Sequence, residues 1–170
     1  MKKEKFKSNQ QKLSDIPYDM IIWIDDFFNG LAWFRVCDPM YQVLYGFINR
    51  RYTIKIRPVF QKVKEFSGGL APFLVDKSWG FINKKGLQVI EPAFYDVTDG
   101  FKSGLCAVRR NNEGKFGYIN KKGILKLPPV YDLAFSFYQG RAKIAMDGAF
   151  YFINKRGKII SKALCPYKGI

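Results

Sequence analysis

Histidine is absent from this 170-residue chain. That removes the side chain that most often serves as general base and as metal ligand. Cysteine is scarce, and Cys37, Cys106 and Cys165 are odd in number and far apart. Neither a disulfide framework nor a paired-cysteine zinc site is indicated, and reduced thiols in a cytoplasmic setting are expected. Glycine recurs in turns, but no glycine-rich phosphate loop or dinucleotide fingerprint is present. Long apolar runs are missing too: Ile21 to Ile24 is cut short by Asp25 and Asp26, whereas a membrane helix needs roughly 18 apolar residues. The basic start, MKKEKFKSNQQKLSDIPYDM, leads into no apolar signal stretch. Acidic residues are outnumbered, 14 against 29 Lys and Arg, for a net charge of +15. Such a balance draws anionic partners, although Lys also keeps turns and edge strands soluble.

What the chain has in excess is aromatics, at 17% of residues within a hydrophobic total of 48%. Aromatic side chains suit pleated, half-buried strand surfaces, and they recur here in a pattern. Four segments read as a short strand ending in asparagine: Gly46-Phe47-Ile48-Asn49, Gly80-Phe81-Ile82-Asn83, Gly117-Tyr118-Ile119-Asn120 and Tyr151-Phe152-Ile153-Asn154. Their starts are 34, 37 and 34 residues apart. A basic doublet follows each asparagine, and then Gly86, Gly123 or Gly157 in three copies, with Tyr52 in the first. Strand, asparagine, two residues and glycine is the signature of a hairpin closed by a residue at positive φ. Tyr52 fits such a site poorly, which predicts a differently shaped first turn.

Upstream of each block stands Gly30-Leu31-Ala32, Gly69-Leu70-Ala71, Gly104-Leu105-Cys106 or Gly140-Arg141-Ala142. Alternation follows, and the inward face reads Ala32, Phe34, Val36; then Ala71, Phe73, Val75; then Cys106, Val108, Arg110; then Ala142, Ile144, Met146. Cys106 falls at the small-residue position and reads as core filler. A third strand follows each turn, and proline is expected to end it at Pro58, Pro92 and Pro128. Aromatics at fixed offsets, Phe60, Phe94 and Tyr131 and again Phe27, Phe66, Phe101 and Phe137, read as wedges between neighbouring units. The predicted fold is all-β: tandem three-stranded antiparallel meanders of about 35 residues forming an open, twisted repeat array.

This pattern resembles the WG-repeat (KWG) family. Trp79-Gly80-Phe81-Ile82-Asn83 with Gly86, Ile90, Pro92 and Phe101 carries the resemblance most closely, and Phe116-Gly117-Tyr118-Ile119-Asn120 with Pro129, Tyr131-Asp132 and Phe137 repeats it. Tyr45, Phe116 and Phe150 replace the name-giving tryptophan in the other copies. The resemblance implies a repeat scaffold, commonly bacterial and mostly without assigned activity. The expected organisation is a basic flexible tail over 1–20, a β-repeat array over 21–161 whose end units are atypical, and a tail or truncated repeat over 162–170.

No constellation of catalytic groups converges in the sequence, so no enzyme activity and no cofactor is expected. Asp25 and Asp26 read as a turn or edge, and Asp96 and Asp132 as backbone-bonding side chains. Asn111-Asn112-Glu113-Gly114 reads as a hairpin tip. The expected function is a non-catalytic scaffold that binds protein. The alternative is nucleic-acid or polyanion binding through an aligned ridge of the turn doublets Arg50, Arg51, Lys84, Lys85, Lys121, Lys122, Lys155 and Arg156.

Overall fold

The computed structural model describes residues 11–17 and 20–163. Among these residues, sixteen strands form four antiparallel sheets, each a four-stranded meander in simple sequence order. The first sheet holds β1 (Ile21–Ile24), β2 (Leu31–Cys37), β3 (Val43–Asn49) and β4 (Ile54–Phe60). The second holds β5 (Lys62–Val63), β6 (Leu70–Val75), β7 (Ser78–Asn83) and β8 (Gln88–Phe94). The third holds β9 (Asp96–Val97), β10 (Leu105–Arg109), β11 (Phe116–Asn120) and β12 (Leu125–Tyr131). The fourth holds β13 (Leu133–Ala134), β14 (Arg141–Met146), β15 (Ala149–Asn154) and β16 (Ile159–Lys162). None of the sheets closes on itself as a barrel. A three-residue 3-10 turn, Leu13–Asp15, is the one helical element named among the described residues.

The three long strands of each sheet are the meander predicted from the sequence. Each sheet adds a strand in front of them, only two residues long in the second, third and fourth sheets. Two residues are too few to show a period, which is why this strand is silent in the sequence. A single residue, Gln61, Tyr95 or Asp132, then separates one sheet from the next. The chain forms two compact units, residues 1–92 and 93–170.

The asparagine turn is built identically four times. The carboxamide oxygens of Asn49, Asn83, Asn120 and Asn154 each accept two backbone N–H groups, two and four residues on, at 2.9–3.1 Å. The residue three past each asparagine donates its N–H to the asparagine carbonyl and has positive φ: +54° at Tyr52, +71° at Gly86, +78° at Gly123 and +80° at Gly157. The first turn is therefore not differently shaped, contrary to the sequence expectation. The Asn49 bonds hold Tyr52 in the left-handed region, at a cost of about 1–2 kcal/mol, and its ring packs edge-on against Phe27 at 6.1 Å.

Proline does not end the third strand either. β4, β8 and β12 run on to Phe60, Phe94 and Tyr131. The register shifts between Tyr45↔Phe60 and Phe47↔Ile56, and again between Phe116↔Tyr131 and Tyr118↔Leu127, so two extra residues bulge opposite Gly46 and Gly117. The proline sits in this bulge, where no ladder bond is asked of its nitrogen. In the third sheet the proline beside the glycine is Pro129, not Pro128.

The expected inward face is the core. Ala32, Ala71, Cys106 and Ala142 are buried, together with Phe34, Phe73, Val108 and Ile144. Within residues 1–92, Phe47 meets Phe66 at 4.8 Å and Phe60 meets Phe73 at 4.9 Å, closing the seam between the first and second sheets. Within residues 93–170, Tyr118 meets Phe137 at 5.0 Å and Tyr131 at 5.9 Å, closing the seam between the third and fourth. Phe60, Phe66, Tyr131 and Phe137 are wedges of the kind read from their fixed offsets, and they pack on Phe73, Phe47 and Tyr118.

The expected flexible tail over 1–20 needs correction in its described part. Gln11 accepts the Ile54 N–H, the Leu13 N–H reaches the Tyr52 carbonyl, and Leu13 is buried with Ala32, Phe34 and Ile54. One leucine, placed by two backbone bonds, anchors a polar segment whose composition gives no period. Residues 1–10, and the expected tail from 164 onward including Cys165, lie outside the described residues.

Candidate functional site

On the face of each sheet that carries the aromatic just before the Gly-Phe-Ile-Asn strand, that ring has a cation or second ring beside it; in the first and third sheets this face packs on the next sheet, with Phe116 buried and Trp33 and Tyr45 packed against the seam. In the first sheet Arg35 lies between Trp23 and Tyr45 in strand register, and Trp33 packs on Tyr45 at 5.5 Å. In the second, the Lys64 ammonium stands 5.3 Å from the Trp79 ring centre. In the third, the Arg109 guanidinium is held between Tyr95 and Phe116, 5.1 Å from each. In the fourth, the Lys143 ammonium stands 4.1 Å from Phe150 and 6.0 Å from Phe135. Each contact draws on the negative face of the ring and contributes about 0.5–1 kcal/mol when exposed.

Local chemistry fixes these side chains. Strand alternation turns Arg109 away from the buried Val108. Arg109 also donates to the Asp96 carboxylate at 3.4 Å and to the Asn112 carbonyl at 3.1 Å. Arg35 and Arg109 occupy equivalent positions, and the Nε of each is buried without a hydrogen-bond partner. Several neighbouring rings remain open to solvent: Trp23 is 54% exposed, and Tyr95 and Phe135 are each 46% exposed. The sequence signals this surface only weakly, because its aromatics lie among many that fill the core.

Asp96 and Asp132 bond backbone N–H groups as expected, at Val97 (2.8 Å) and Asp147 (3.2 Å). Asp132 also pairs with Lys115 at 3.0 Å. Asp25 is half-buried and Asp26 exposed next to β1.

All eight residues of the basic doublets are exposed at the tips of the asparagine turns. Two are already engaged within residues 1–92. The Arg50 guanidinium lies 5.6 Å from the Phe27 ring centre, and Lys84 Nζ donates to the Asn29 carbonyl at 2.5 Å. Asn29 Nδ2 donates in turn to the Phe66 carbonyl at 2.7 Å. Lys84 thus ties the second sheet to the first, and Arg50 packs within the first, while Arg51 and Lys85 make no such contact among the described residues.

A family model for the WG containing repeat matches residues 45–77, 79–113 and 116–148, more than half of the chain. The chain belongs to the WG-repeat family. Tyr45, Trp79 and Phe116 begin the matched repeats, so the aromatic described above stands at the family's name-giving position. The glycine after it is explained by the bulge: a Cβ on Gly46, Gly80 or Gly117 would stand 2.6–2.8 Å from the carbonyl oxygen of Ile56, Ile90 or Leu127. The fourth WG-type sheet, where Tyr151 replaces the glycine, pairs Tyr151 directly with Lys162 and has no proline in β16. No curated protein and no solved structure matches the chain. Among the described residues, no helix is long and apolar enough to cross a membrane.

Proposed function

We propose that this WG-repeat chain is a non-catalytic scaffold in the cytoplasm that binds another protein through its exposed ring–cation groups at Trp23, Tyr95 and Phe135. The reading is supported by one recurring observation: in three sheets an exposed ring stands beside a cation, Trp23 opposite Arg35, Tyr95 against Arg109 and Phe135 against Lys143. Tyr, Trp and Arg are the residues that concentrate binding energy in protein interfaces. Trp23 stands on β1 and Arg109 and Lys143 on β10 and β14, so little side-chain entropy is lost on docking there. A net charge of +15 favours an acidic partner surface.

The test is capture from the native cell with nuclease present, comparing the wild-type chain with the triple variant Trp23→Ser, Tyr95→Ser, Phe135→Ser. These rings are exposed, so the variant keeps its fold, which circular dichroism checks. A protein held by the wild type and released by the variant supports the scaffold. Retention that disappears with nuclease, or that ignores the three substitutions, rejects it.

The second reading is polyanion binding through the eight turn residues. It draws on their common exposure at equivalent turns.

A further inference from the structure

The third sheet departs from its neighbours at one hairpin. β6 and β7 are joined by two residues, as are β14 and β15, but β10 and β11 are joined by the six residues 110–115. Where this loop meets the sheet there is a cavity of about 410 Å³, within the range of small-molecule sites. Its walls include Phe94, Val108, Ile119 and Leu125, and Arg110 and Lys115 also line it.

Arg110 is the unusual residue. The alternation that places Val36, Val75 and Met146 at the end of the inward face in the other sheets places an arginine here. Its guanidinium lies 5.7 Å from the Phe94 ring centre. Among the described residues it has no ion pair and no side-chain hydrogen bond. Lys115, by contrast, is already paired with Asp132 at 3.0 Å. The cavity therefore combines apolar walls with one uncompensated cation whose planar fork matches a carboxylate.

We infer that this cavity binds a carboxylate attached to an apolar, ring-sized body, with Arg110 as the anion partner. The apolar body displaces water from the exposed Leu125 and rests against the walls at Val108 and Ile119, and the carboxylate meets the guanidinium over Phe94. Such a ligand comes either as a free small acid or as the C-terminal residue of a protein chain. The inference is independent of the exposed rings Trp23, Tyr95 and Phe135, none of which lines the cavity.

The test is a backbone-amide NMR titration of the full chain with four probes: 3-phenylpropionate, 3-phenylpropionamide, and an acetylated tetrapeptide ending in phenylalanine with a free or an amidated C-terminus. The expected result is saturable shifts at Gly114, Lys115 and Gly117 with the acids, and binding about tenfold weaker with the amides, as loss of a charge-assisted hydrogen bond requires. Arg110→Met, which installs the residue type found at Met146, should weaken the acids by about the same factor and leave the remaining spectrum folded. Tighter binding of the free-ended peptide assigns the site to a partner's C-terminus, and tighter binding of 3-phenylpropionate assigns it to a small acid. Equal binding of acids and amides, shifts outside the cavity, or indifference to Arg110→Met would each overturn the inference.

Discussion

Gly80 lies directly beneath Pro92: a Cβ built on the glycine would stand 2.8 Å from the proline nitrogen and 2.8 Å from the Ile90 carbonyl oxygen. Both obstacles are backbone, so the strand itself must move to admit a methyl group. Gly80→Ala is expected to cost about 3 kcal/mol, toward the upper end of overpacking losses. Urea denaturation measures it. A loss below about 1 kcal/mol would mean that β8 yields easily and that the bulge does not set the residue type.

The asparagine turn predicts a different response. Asn83→Ala leaves the N–H groups of Lys85 and Leu87 without the oxygen they share. A loss of about 1–3 kcal/mol follows from unsatisfied donors. Asn83→Asp retains an acceptor oxygen at the same place and is expected to recover most of that stability. Equal losses for the two variants would show that the carboxamide is not the acceptor that matters.

Tyr118 supplies a pH dependence. Its ring is fully buried and its hydroxyl donates to the Phe135 carbonyl at 2.8 Å. Burial, with Tyr131 beside it, pushes the phenol well above its ordinary value. Above about pH 10 the unfolded chain loses this proton while the folded chain keeps it. The folded state then binds more protons, so stability is complete below the ordinary tyrosine value and falls as pH rises beyond it. Tyr118→Phe should make the decline between pH 9.5 and 11 shallower (roughly, since other tyrosines and lysines also titrate there). An unchanged slope would place the alkaline sensitivity elsewhere.

Much of this fold is legible in the residues because one physical constraint is repeated. Asparagine followed three residues later by glycine marks every turn but the first, and alternation from Ala32, Ala71, Cys106 and Ala142 marks the inward face. Tyr52 misleads because propensity is a local preference, and here a carboxamide bonded to two N–H groups outweighs it. The prolines mislead in a similar way: a missing donor ends a regular ladder, but a bulge has a place for it. The aromatic–cation pairs are harder to see, since Lys64 and Trp79 are fifteen positions apart in sequence and meet only after two strands have paired. Arg110 is visible as an exception to alternation, yet its cavity exists only because of the longer hairpin.

Leu13 tests how the first sheet is covered. It is buried against Ala32, Phe34 and Ile54, where no earlier sheet is described. Leu13→Ala should cost about 2–4 kcal/mol, as for other buried leucines. Ser14→Ala, at an exposed neighbour, should change stability by less than about 0.5 kcal/mol. A negligible loss at Leu13 in thermal and urea melts would return residues 11–17 to the status of a loose tail.

The basic turns distinguish the two functional readings. Reversing Lys84, Lys85, Lys121 and Lys122 to Glu removes the Lys84–Asn29 bond and leaves the asparagine turns intact, because the carboxamides bond backbone and not these side chains. The fold should therefore survive, with a loss of about 1 kcal/mol from the single bond. Weak, sequence-blind retention on a polyanion such as heparin is expected for the wild type, with a steep salt dependence. Loss of four phosphate contacts would flatten the slope of log affinity against log salt by about 3–4. Under the scaffold reading, the same variant still captures its protein partner, since Trp23, Tyr95 and Phe135 are untouched. A tight nucleic-acid complex that the four reversals abolish, while Trp23→Ser, Tyr95→Ser, Phe135→Ser leaves it unchanged, would transfer the function from the exposed rings to the turns.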